Sequence, residues 1–307
     1  MGLQADRLDE VPREDMLFFR TRNEDEDETK IKERILEVAR RAYEVFPYKC
    51  IEMFVFPRSK TAFFDSGARY GFKSPYKRAL EVCSAGKGDL YLDVGCFFGV
   101  DLRKAVADGI PIENVIGIDL HKAKLLSSKD FWKWGHELFN TSPETFPAAF
   151  IVGDVLDEKI ISGRGISPSP SSSSTSPRPV DLRILTSLTP LHGRISVIQV
   201  SNIFHFYPED KQLELARALV SLLLPQRGSM IFGMQRAAAE GEEPGFLRNP
   251  NGNVVFTRSV QGLKGFWEGV FRDAGVELQV DAWKVGKEET EIGSYGVDMV
   301  VWGCNVR

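Results

Sequence analysis

Three carboxylates and one histidine stand where apolar runs give way to turns: Asp93, Asp119, Asp154 and His205. Asp93 belongs to Tyr91-Leu92-Asp93-Val94-Gly95-Cys96-Phe97-Phe98-Gly99, an apolar run followed by a turn with glycine at both ends. A helical pattern follows, with Leu102, Ala105 and Val106 on its apolar side. Strand, tight turn and helix start in this order cradle a phosphate or a cofactor in an open α/β sheet. About 20 residues past the turn, Val115-Ile116-Gly117-Ile118-Asp119 ends a second run in a carboxylate, the spacing at which an acid grips ribose hydroxyls. Leu120 would then lie against an adenine. Asp154, after Phe150-Ile151-Val152-Gly153, could accept from an adenine amino group while the Val155 amide donates to a ring nitrogen. A plain turn carboxylate is the alternative for Asp154. His205 lies just beyond the run that ends at Ser201, at the carboxyl end of a strand, where ligands bind and a base could act. A structural histidine is the alternative there.

A dinucleotide would need Gly-x-Gly-x-x-Gly, because its pyrophosphate rests on the helix N-terminus. Phe97 stands two residues after Gly95, so that fingerprint fails and a nicotinamide oxidoreductase is disfavoured.

The elements that must hold these residues follow from periodicity. Strands are expected at 90–94, 115–119, 150–153, 195–201, 229–234, 277–283 and 297–304, and helices at 100–108, 122–139, 209–223 and 260–274. Alternating strands and helices give a parallel sheet covered on both faces. The last two strands have no long helix between them and should form an antiparallel hairpin at one edge. Before the sheet, residues 1–29 read as a flexible acidic arm ending in Glu24-Asp25-Glu26-Asp27-Glu28. Ile31, Ile35, Val38, Ala42 and Val45 mark an amphipathic helix over 30–45. An aromatic segment follows, with Phe46, Tyr48, Phe54, Phe56, Phe63, Phe64, Tyr70, Phe72 and Tyr76. It reads as a cap over the pocket or as packing for the first helix. The division is an arm at 1–29, a helical and aromatic cap at 30–88, and a core at 89–307 with a Ser/Pro-rich, disordered insert at 162–179.

With 307 residues the chain can bury one large core. Net charge of -4 and no basic stripe speak against nucleic acid as the partner. No apolar run approaches a membrane span, and Met1 to Asp15 lacks the apolar centre of a signal peptide. The four cysteines, Cys50, Cys83, Cys96 and Cys304, form no Cys-x-x-Cys pair, so neither a metal site nor a disulfide framework is expected, and a reducing cytoplasm suits the chain.

The stretch from Asp93 to Gly99 resembles motif I of class I S-adenosylmethionine-dependent methyltransferases, Asp-x-Gly-x-Gly-x-Gly, with Phe97 at the middle glycine. Together with Phe46-Pro47-Tyr48-Lys49-Cys50-Ile51, Phe204-His205-Phe206 and Arg227-Gly228-Ser229-Met230-Ile231-Phe232-Gly233, it is similar to fungal small-molecule methyltransferases, including those that methylate a carboxyl group in meroterpenoid biosynthesis. The resemblance implies a Rossmann-like α/β fold, with a seven-stranded, mostly parallel sheet and an antiparallel edge hairpin. It implies S-adenosylmethionine as cofactor, with Asp93 toward the methionyl ammonium and Gly95, Cys96, Phe97, Gly99, Asp119, Leu120, Asp154, Val155 and Ser201 as its contacts. The activity implied is O-methylation of an apolar aromatic or terpenoid small molecule, at a carboxyl or hydroxyl group, in secondary metabolism. His205 and Tyr48 are the catalytic candidates, Tyr48 facing the acceptor from the cap and His205 from the sheet. A hydroxyl acceptor needs His205 to take its proton, whereas a carboxylate needs no base. A non-catalytic binding module that keeps the fold is the other reading, and Phe97 is the residue that favours it. Oligomeric state stays open, a homodimer being one option.

Overall fold

The computed structural model describes residues 2–20, 26–58, 60–84, 89–120, 128–163, 181–239, 241–242, 244–248, 254–286 and 298–307. Most of the Ser/Pro-rich insert, the start of the helix expected from 122, the first two residues of the acidic run at 24–28 and most of the link between the last two strands lie outside them. Seven strands form the main sheet: β1 (Leu90–Val94), β2 (Val115–Asp119), β3 (Ala149–Val152), β4 (Ile195–Val200), β5 (Met230–Arg236), β8 (Leu278–Val285) and β9 (Met299–Val306). Their spatial order is β3-β2-β1-β4-β5-β9-β8. The first five strands pair in parallel, and β9 runs antiparallel to both neighbours, β5 and β8. The order reverses between β1 and β4, which leaves a crevice outside their carboxyl ends.

Period-two alternation sorts the strand residues. Leu90, Leu92 and Val94 face a core shared with α8 (Glu209–Leu222) and α9 (Val260–Asp273). Tyr91 faces the other layer, built on α5 (Pro75–Cys83) and α6 (Val100–Ala107). All six residues of β4 are buried, as expected of a central parallel strand covered on both sides. Ser74 and Ser259 cap α5 and α9, each hydroxyl accepting an amide of the first turn.

A third core gathers the N-terminal elements on α7 (Ser128–Leu138). Helix α2 (Glu28–Val45) buries Ile31, Ile35, Val38, Ala39 and Ala42, and Arg41 binds Glu137 of α7 at 2.5 Å. The arm expected at 1–29 is folded over residues 2–20: Leu8, Val11, Met16 and Phe19 are all buried in this core. Its charged composition masks two apolar pairs, Leu8 with Val11 and Met16 with Phe19, each three residues apart. The aromatic cap is present in two parts. Phe46 and Tyr48 lie beside the β1 turn with Phe54 and Phe56 behind them, whereas Phe63, Phe64, Phe72 and Tyr76 pack under the sheet. The first group shares its core with α2, as the packing alternative has it, whereas the second packs against the sheet and α5 and not on the first helix; Phe64 meets Phe232 edge-on at 5.1 Å.

Among the elements not expected, β6 (Gly245–Arg248) and β7 (Val254–Thr257) form a separate antiparallel pair after β5. Among the described residues no helix is long and apolar enough to cross a membrane.

Candidate ligand site at the carboxyl ends of the strands

The turn after β1 is held by its own amides. Gly95 N–H donates to the Ile118 carbonyl at 2.8 Å, and Gly99 N–H to that of Cys96 at 2.7 Å. Gly95, Phe97 and Gly99 all lie in the left-handed region, at φ 72°, 54° and 72°. A side chain on Gly95 would meet Ile203 Cδ1 at 2.2 Å, and one on Gly99 would meet the Trp132 ring at 2.7 Å. Both glycines are therefore required by backbone conformation and by close neighbours. Phe97 tolerates the same region without being glycine because its ring is anchored against Phe98, Phe131 and Tyr48, at 3.9, 4.5 and 6.3 Å. Cys96 is buried, and burial raises its thiol well above the usual range.

Asp119, at the end of β2, accepts the Phe97 amide at 2.6 Å. Burial raises its carboxyl to about 6, and the Phe97 and Leu120 amides oppose that rise. Asp93 is 3% exposed, and its Oδ2 has no hydrogen-bond partner. Burial, then the nearby Asp101 charge, raises it to about 8; Lys60 pulls the other way. Ser201 Oγ, Asn202 Oδ1 and His205 Nδ1, all just past β4, are likewise buried without a partner. Four orphaned polar atoms at the carboxyl ends of adjacent strands are costly unless a ligand or water satisfies them. They suit a ligand offering ammonium and hydroxyl donors.

The expected residues divide on inspection. Gly95, Cys96, Phe97, Gly99 and Asp119 form one bonded cluster directly after Asp93, and Leu120 follows it half-buried. Ser201 lies across it, just past the end of β4, the strand paired with β1. Asp154 accepts the Leu156 amide at 2.8 Å, so one of its oxygens serves its own turn, as the turn alternative holds. The Val155 side chain is core. Tyr48 is 46% exposed, stacked on Phe46 at 5.6 Å, and its hydroxyl is kept protonated by burial and by the Asp119 charge. It thus borders the turn.

His205 is 5% exposed. Burial, then the Arg236 charge, depresses it to about 3, so the ring is neutral at neutral pH. That setting makes it a far weaker base than the sequence position suggests. Arg236 ends β5, is partly buried and has an Nε without a partner; among the described residues no carboxylate pairs with it. Reading from sequence misses Arg236, Asn202, Ile203, Lys60 and Tyr207. Burial and then the Asp154 and Asp119 charges push Tyr207 up to about 12, which puts its ring near the two expected adenosine acids. Asn202 carried one signal: asparagine enters the left-handed region more readily than most residues, and it lies there at φ 59°.

Residues 4–57 match the meroterpenoid methyltransferase N-terminal domain family. The chain is 28% identical over 272 residues to O-methyltransferase phiE of a fungal species, covering 88% of this chain and 73% of that protein. It is 28% identical over 255 residues to methyltransferase ausD of Aspergillus calidoustus, covering 83% and 75%. A solved 1,6-didemethyltoxoflavin-N1-methyltransferase from Burkholderia thailandensis, with S-adenosylhomocysteine bound, aligns at a TM-score of 0.44 and 12% identity over 80% of this chain and 85% of that one. The resemblance drawn from sequence to fungal small-molecule methyltransferases is thus borne out by the relatives found.

Proposed function

We propose that this chain is an S-adenosylmethionine-dependent O-methyltransferase whose acceptor is a carboxyl group on an apolar aromatic or terpenoid small molecule. The observation that carries the reading is the set of orphaned polar atoms around the left-handed turn, flanked by Asp93 and Asp119. Bound there, the cofactor supplies an already activated methyl group. Asp119 would hold the ribose hydroxyls and Asp93 the ammonium, while the turn lets the backbone approach. What is left to the protein is alignment of the acceptor oxygen with that methyl group, together with exclusion of water.

Arg236 and His205 favour a carboxylate over a hydroxyl acceptor. A partly buried guanidinium without an acidic partner suits an anionic oxygen, and arginine binds carboxylates in a fork. A carboxylate is nucleophilic at neutral pH without a base, and His205, depressed to about 3, is poorly matched to a phenolic proton. In this role His205 fixes the acceptor's position. Tyr48 would close the cofactor side from the N-terminal layer as a hydroxyl donor. Exposed Phe206, Phe246 and Val254 offer apolar surface for the skeleton of the acceptor.

Calorimetry with S-adenosylmethionine, followed by labelled methyl transfer to panels of aromatic and terpenoid acids and phenols, tests the reading. Products that are base-labile esters are expected. Exclusive ether formation would overturn the carboxylate acceptor, and absence of cofactor binding would overturn the whole assignment.

A further inference from the structure

Lys60 reaches 41 residues along the chain to bond Asp101 on the first turn of α6. Both side chains are largely enclosed, at 29% and 14% exposure. The Asp93 charge also acts on Lys60, and Lys60 is the cation whose field acts on Asp93. One lysine thus faces two carboxylates, with Asp119 a third acid acting on Asp93. Carboxyl groups outnumber the lysine here, and Asp93 Oδ2 has no partner. A cationic group entering here would satisfy Asp93 and compete for Asp101. Lys60 would then lose part of its counter-charge and need an anion close by.

One small chemical group brings an ammonium and a carboxylate within two bonds of each other: the α-amino acid. We propose that Lys60 binds the carboxylate of the cofactor's methionyl end, giving up its ion pair with Asp101 as the ammonium takes up Asp93 and Asp101. The inference rests on the cofactor reading above and adds a residue from the N-terminal layer to it. Asp101 lies two residues past Gly99, so the exchange takes place at the turn itself. It also ties the segment between α3 (Lys49–Glu52) and α4 (Thr61–Asp65) to cofactor binding. Lys60 is a binding residue for the amino-acid end and takes no part in the transfer.

Two ligands separate this role from a structural one. S-adenosylhomocysteine carries the amino-acid end, whereas 5′-methylthioadenosine keeps the nucleoside and sulfur without it. Calorimetry on wild type, Lys60→Gln and Lys60→Arg, with melting temperatures recorded, gives the answer. Lys60→Gln should weaken S-adenosylhomocysteine by at least about tenfold, the scale for losing a hydrogen bond to a charged group, and leave methylthioadenosine within about twofold. Lys60→Arg should recover most of the loss. Equal weakening of both ligands, or undiminished S-adenosylhomocysteine affinity in Lys60→Gln, would overturn the role of Lys60 while leaving the cofactor reading intact. Wild-type protein that binds neither ligand would overturn both.

Discussion

The Phe97 amide donates to the Asp119 carboxylate at 2.6 Å, which makes the turn after β1 and the end of β2 one bonded unit. Asp119 therefore shapes the turn as well as facing a ribose. Asp119→Ala should weaken S-adenosylmethionine by about 1–3 kcal/mol, the scale for leaving a buried partner unsatisfied. It should also lower the melting temperature of the free protein, because the Phe97 N–H loses its acceptor. Asp119→Asn, which keeps an acceptor oxygen, should spare stability more than affinity. Wild-type affinity in the alanine variant would remove Asp119 from the site.

Asp93 sets function against stability. Its folded pKa is raised, to about 8 from 3.8, so its contribution to stability is complete below the ordinary value and is lost as pH rises through 8. Asp93→Asn, neutral at every pH, should raise the melting temperature of the free protein by about 2–4 °C near pH 8, as ~1 kcal/mol does in a chain of this size. The gain should shrink as pH falls toward about 4, where wild-type Asp93 is also neutral. Cofactor affinity should fall sharply in the same variant. Thermal melts at both pH values, with calorimetry, would expose a wrong sign.

His205 makes an opposite prediction for acid. Its folded pKa is depressed to about 3, so it supports the fold above 6.5 and that support drains away as pH falls from 6.5 toward 3. Turnover on a carboxylic acid should show no acid limb belonging to His205 near neutrality. His205→Ala should lower it by less than about tenfold, below the hundredfold or more typical of a lost general base. A limb near pH 6.5 that vanishes in His205→Ala would restore the base.

Arg236→Gln should raise the KM for an acid acceptor by about tenfold or more, as expected for removing a charge-assisted partner. S-adenosylmethionine affinity should stay within about twofold, because Arg236 lies on β5, across β4 from the β1 turn. Arg236→Lys should recover only part of the loss, since it lacks the fork. Unchanged KM would send the search for the acceptor's anchor elsewhere.

Much of this architecture is legible in the chain. The ends of β1 and β2 read correctly because continuous apolar runs stop at Asp93-Val94 and Asp119, where glycine or a loop follows. The β6–β7 pair was not legible: each strand has four residues, too few for alternation to stand out. Leu8, Val11, Met16 and Phe19 were obscured by the charges among them. The ionisation of His205 depends on burial and then on Arg236, and the pairing of Lys60 on Asp101, partners 31 and 41 positions away, and no local pattern reports such surroundings.

The place of β9 bears on how the sheet is made. It is the last strand in chain order, yet it fills the slot between β5 and β8 and pairs along seven residues of one and eight of the other. Until it is inserted, β5 and β8 each present an open ladder edge, the form most ready to pair with another chain. Strand-by-strand growth during synthesis therefore cannot complete this sheet. Closure comes late, through contacts of long sequence separation, which folds slowly and leaves a window for misassociation. A charge-introducing or proline substitution at the buried centre of β9, such as Val301→Pro, should act chiefly on soluble yield, by prolonging that window.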